Sequence, residues 1–138
     1  MTDRLARLER LARRERDLSA RELAWALAAT DQARAVRSAV ARERLALPVP
    51  GPGVHRLAGL RLASEARAVA GLRLERADAR VAQAEEREGQ ARDALKSRQQ
   101  TLRQWERLGA RRRELAAKAR RRAAQREADA RCAPESSP

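Results

Sequence analysis

Pro48-Val49-Pro50-Gly51-Pro52-Gly53 decides the fold of this chain. Proline lacks an amide proton and clashes with the preceding turn, and glycine adds backbone freedom, so three prolines and two glycines in six residues end a helix and turn the chain. No other strong breaker occurs before Pro134. The flanking stretches are long and proline-free, and both carry apolar residues at three- and four-residue spacing. The simplest architecture is all-α: a long antiparallel two-helix coiled-coil hairpin.

Upstream of the turn, Thr2 is placed to cap a helix, and Asp3 stands where the helix dipole favours negative charge. Leu5, Leu8, Leu11, Leu18, Trp25, Ala29, Ala33, Val36, Val40 and Leu47 trace a drifting apolar stripe that predicts the inner face of this helix. Downstream, the stripe comprises Leu60, Ala63, Ala70, Leu74, Ala77, Val81, Ala84, Ala91, Leu95, Leu102 and Trp105. Sevenfold spacing is clear in Leu60, Leu74, Val81, Leu95 and Leu102, with Arg67 and Glu88 as exceptions, and it is the spacing of a two-helix seam. Gly59, Gly71, Gly89 and Gly109 are the places where the second helix is expected to bend or fray, each costing about 1 kcal/mol relative to alanine. The predicted organisation is one hairpin over 1–133, with a helix at 2–47, a turn at 48–53 and a helix at 54–131. Residues 134–138 read as a short disordered tail.

Folding about residues 50–51 brings Met1 close to Gln100, so everything from Thr101 onward is expected to overhang the first helix. The overhang to Arg131 carries eleven Arg and Lys against four Asp and Glu, with apolar residues at Leu102, Trp105, Leu108, Leu115 and Ala119. It is a basic amphipathic helix of roughly 45 Å at ~1.5 Å per residue. Such a helix is only marginally stable alone in water, which implies that a partner covers it.

Composition sets the remaining bounds. The 138 residues hold two Trp and no Phe or Tyr, 37% are charged, and alanine dominates the 43% apolar fraction. Long helices have this composition, whereas a dense globular core needs larger apolar side chains. A net charge of +13 predicts attraction to an acidic surface of some kind. Cys132 is the only cysteine, which excludes an intramolecular disulfide and a thiolate metal site. No apolar run approaches the ~20 residues of a membrane span. Asp3, Glu9, Glu15 and Asp17 argue against a transit peptide at the arginine-rich start, and a cytosolic location is the default.

Little here is suited to catalysis. The one histidine, His55, falls beside the turn and reads as an exposed loop residue. Glu85, Glu86 and Glu88 read as a solvated helix face, and Cys132 has no supporting base. The expectation is a protein that is not an enzyme, with no cofactor, no metal and no small-molecule substrate.

Binding is better supplied. The triplets Arg111–Arg113 and Arg120–Arg122 spread over most of the helix circumference. Phosphate contact is open to them, but the chain has no Asn to read bases in the manner of basic-zipper helices, and nucleic acid is disfavoured. Trp25 is expected in the hairpin seam. Trp105 either folds back over Leu5 and Leu8 or stays free as an anchor for a partner.

Trp105, Leu108 and Arg111 in the segment WERLGAR, followed by Gln125 and Asp129 in QREAD, resemble the FliJ family. FliJ is the small coiled-coil component of the bacterial flagellar type III export apparatus. The two-helix plan with a longer second helix is similar as well. The resemblance implies a stalk like the central coiled coil of rotary ATPases, inserted into the hexameric ring of the export ATPase FliI. It also implies a link to the export-gate protein FlhA, escort of export chaperones, and a role in protein transport and motility. Such a protein works in the cytoplasm, peripherally associated with the inner membrane. The partner-binding residues are then Trp105, Leu108, Arg111, Arg112, Arg120, Arg121, Arg122, Gln125 and Asp129. Two other readings stand beside it: a basic coiled coil that binds nucleic acid, and a purely structural spacer.

Overall fold

The structure, a computed structural model, describes residues 2–49 and 57–132. Apart from 47–49 these residues are all helical, in α1 (Thr2–Ala46) and α2 (Leu57–Cys132), which pack against each other as an all-α hairpin. The turn residues 50–53, the expected start of the second helix at 54, His55 and the tail at 134–138 lie outside the described residues, as does the capping side chain of Thr2.

α1 ends one residue earlier than expected. The Leu47 amide donates to the Arg44 carbonyl at 3.4 Å, a tightened last turn, and Pro48 disfavours helical conformation at the residue before it. α2 runs to Cys132, one residue further than expected, and stays helical through Gly59, Gly71, Gly89 and Gly109. The helix therefore neither breaks nor frays at its glycines. Their cost is distributed along a helix long enough to absorb it.

Contacts divide the chain into two units, each built from a stretch of both helices. In the unit Leu18–Lys96, α2 contributes Ala63, Ala70, Leu74, Ala77, Val81, Ala84, Ala91 and Leu95 to the seam, as its stripe predicts. Leu60 is exposed instead. The α1 side departs from expectation: Leu18, Trp25, Ala29 and Val36 are exposed, and Trp25 keeps 73% of its surface. The covered positions are Ser19, Leu23, Ala26, Thr30, Ala33, Ala39, Val40, Ala41 and Leu47. Small residues on α1 make room for the larger side chains of α2, and a reading weighted toward large apolar side chains passes over them. Thr30, 1% exposed, satisfies its hydroxyl by donating to the Ala26 carbonyl at 3.0 Å.

The register of this unit also differs from a fold centred on 50–51. Arg34 sits against Glu85 at 2.8 Å, roughly 18 residues further along α2 than that fold would place it, and Arg37 meets Asp78. Glu85 holds the Arg34 guanidinium above its usual range, with smaller contributions from Glu88 and Asp31. Arg67 donates to the Pro48 carbonyl at 3.5 Å, about ten residues into α2. Leu57, Leu60 and Leu62 in those first turns are exposed. Nothing breaks the helix there, and the helix propensity of its Leu, Ala and Arg favours these turns.

In the unit formed by 1–17 with 97–138, Leu5, Leu8, Glu9 and Ala12 lie along α1, and Thr101, Leu102, Trp105 and Gly109 along α2. Leu11 is exposed, again contrary to the predicted stripe. Arg98 donates to Glu15 at 2.8 Å and Arg13 lies 3.6 Å from Glu106. Half-exposed pairs of this kind select register more than they add stability.

Candidate functional site

The candidate surface is the C-terminal part of α2, and the register moves its boundary. Thr101 to Gly109 does not overhang: Leu102 is 6% exposed, Trp105 is half-buried, and Gly109 is buried. A Cβ built on Gly109 would overlap the end of the Glu9 side chain and touch Leu5, so α1 lies directly over this glycine. The expected overhang from Thr101 thus shortens to Ala110–Cys132, where every residue is exposed. The cause is the register: Arg13 lies against Glu106 and Arg98 against Glu15, so α1 reaches further along α2 than a fold centred on 50–51 would bring it.

Trp105 therefore resolves toward folding back rather than remaining free. Leu108 stays exposed at the edge of the paired stretch, and Leu115, one heptad on, keeps 65% of its surface. Leu115 was not among the residues singled out for binding, although its sevenfold spacing from Leu108 is the signal that finds it.

Helical geometry then sorts the predicted residues by face. Leu108, Arg111, Leu115, Lys118, Arg122, Gln125 and Asp129 follow one another at steps of three and four and share one side of the helix. Four of the five residues that carry the family resemblance fall here, all but Trp105. Gln125 donates to Asp129 at 3.1 Å and Lys118 pairs with Glu114 at 2.7 Å, both one turn apart, which holds the face in order without covering it. Arg112 and Arg120 belong to another side. With Arg113 they rim a shallow notch whose floor is Leu5, Gly109 and Ala116. Arg121 belongs to neither group. The notch needs the register to be known, so sequence spacing alone does not reveal it.

Ala110–Cys132 carries nine Arg and Lys against Glu114, Glu127 and Asp129, a concentrated positive field on an uncovered helix. Among the described residues there is no group of three His, Cys, Asp or Glu placed to hold a metal, and no helix long and apolar enough to cross a membrane. Cys132 is exposed and unpaired. What the surface offers chemically is an apolar strip edged by guanidinium groups, suited to a partner that is itself apolar and acidic. No family model, characterised protein or solved structure matches the chain.

Proposed function

We propose that this chain is a non-catalytic, FliJ-like stalk component of a bacterial type III protein export apparatus. In this reading the C-terminal helix docks in the ring of the export ATPase, and the protein couples that ring to the export gate and escorts export chaperones. It works in the cytoplasm, associated with the inner membrane only through the apparatus. The observation that carries the reading is the face of α2 bearing Leu108, Arg111, Leu115, Gln125 and Asp129, all of them exposed among the described residues. Leu108 keeps the anchoring role expected of it together with Trp105, and Leu115 takes the place of Trp105. The arginines supply electrostatic complementarity to an acidic ring surface, acting on encounter rate more than on final affinity.

The test is stimulation of the export ATPase by the full chain and by a Leu108→Asp, Leu115→Asp double variant. Both positions are exposed, so helicity should not change, while stimulation should be lost. Full stimulation by the variant would remove the reading. A second reading, nonspecific nucleic-acid binding, is favoured by one observation, the nine cations of the bare stretch. It predicts an affinity for DNA or RNA that falls steeply with salt and disappears when Arg120–Arg122 are reversed in charge.

A further inference from the structure

In the unit Leu18–Lys96 the two flanks of the seam are built differently. One flank is closed by ion pairs: Arg34 holds Glu85, and Arg37 meets Asp78, one heptad earlier on α2. The opposite flank is open. Trp25, at 73% exposure, stands over a groove floored by Ala29, Ala33 and Ala84, and Val36 continues the apolar surface beside Ala77. The α2 wall of that groove is Arg80 and Arg87, again one heptad apart. Among the described residues neither has a carboxylate within 4.0 Å, although their counterparts on the other flank do.

We infer that this flank is a docking groove for a third helix, an acidic amphipathic helix of a partner protein. Three features select that occupant. The floor is made of alanines and runs along both helices, so a helix can approach closely and lie in it lengthwise. Trp25 is a large aromatic held out at the rim, the residue type that most often dominates a protein interface. Arg80 and Arg87 repeat with the heptad, so a helix whose carboxylates also repeat every seven residues meets both at once. A second copy of this chain does not suit the groove, because it brings a formal charge of +13 to a wall already lined with arginine. This surface is separate from Ala110–Cys132 and does not depend on the function assigned to that stretch.

The experiment uses the full chain and two synthetic three-heptad peptides with Leu and Ala on the inward face. One peptide has Glu at the flanking positions and the other has Lys. In a Trp105→Phe background Trp25 is the only tryptophan, and its emission should shift to the blue with the Glu peptide alone. Calorimetry on the otherwise unchanged chain should show the same preference. Trp25→Ala should weaken binding by about thirtyfold, the scale of an interface hot spot. The double charge reversal Arg80→Glu, Arg87→Glu should transfer the preference to the Lys peptide. All three residues are exposed, so helicity should be unaffected. Equal binding of the two peptides would overturn the proposal. So would binding that is lost on reversing Arg120–Arg122 but not Arg80 and Arg87, or single-stranded DNA that shifts Trp25 emission as far as the Glu peptide does.

Discussion

α2 before Gly109 and α2 after it are the same helix in different circumstances. From Ala63 to Gly109 a residue is covered every three or four positions, with Arg67 and Arg98 as exceptions; from Ala110 to Cys132 none is covered. The seam spacing does not stop at the boundary, since Ala116, Ala119, Ala123 and Ala130 continue it. What changes is the presence of α1 opposite. Beyond Gly109 the second helix keeps an intact amphipathic pattern and a dense positive charge, with every described residue exposed. The same kind of residue should therefore matter for stability on one side of Gly109 and for association on the other.

The largest expected effect separates the two stretches directly. Leu102→Ala should destabilise the hairpin by about 2 kcal/mol, the lower end for a buried leucine, while Leu115→Ala should stay within about 0.5 kcal/mol. Thermal unfolding followed by circular dichroism checks both, and equal effects would erase the boundary. Next comes overpacking of the paired stretch. Ala77, 4% exposed, faces the small-residue side of α1, so Ala77→Leu should cost about 1–2 kcal/mol. A smaller effect has the opposite sign. Beyond the helix's own adjoining backbone nothing lies within 4 Å of a Cβ added at Gly71 or Gly89, so each Gly→Ala change should raise stability by about 0.5–1 kcal/mol. Smallest of all is Trp25→Ala, at most about 0.5 kcal/mol although it removes one of the two largest side chains in the chain. A large loss there would put Trp25 back in the seam.

The hairpin itself was legible, because one proline-glycine run lies between two stretches without proline. The α2 seam was legible too, since Leu74, Val81, Leu95 and Leu102 mark it with large side chains at heptad spacing. The α1 seam was legible only in part: Leu5, Leu8, Ala33, Val40 and Leu47 lie on it as read, and the rest of the stripe does not. Ala12, Ser19, Ala26, Thr30 and Ala33 form a regular series of small residues, and Leu11, Leu18 and Trp25 on a neighbouring face outweigh them in any hydrophobic count. Register was hidden for another reason: no local signal in the sequence marks where pairing begins. That error placed the overhang at Thr101 and made Trp105 a candidate free anchor. The face bearing Leu108, Arg111, Gln125 and Asp129 depended only on helical spacing, so it was readable. The notch joining Leu5 to Arg112 and Arg120 depended on register and was not.

If Gly109 closes the hairpin and the helix beyond it serves the proposed partner, stability and association separate at that residue. The direct test compares the full chain with one ending at Gly109, measuring thermal unfolding and stimulation of the export ATPase on the same samples. The unfolding midpoint should be nearly unchanged, because Ala110–Cys132 lies only against the first turns of α1 at Leu5 and Ala6, while stimulation should be lost. A shortened chain that still stimulates the ATPase fully, or one whose hairpin no longer folds, would contradict that separation.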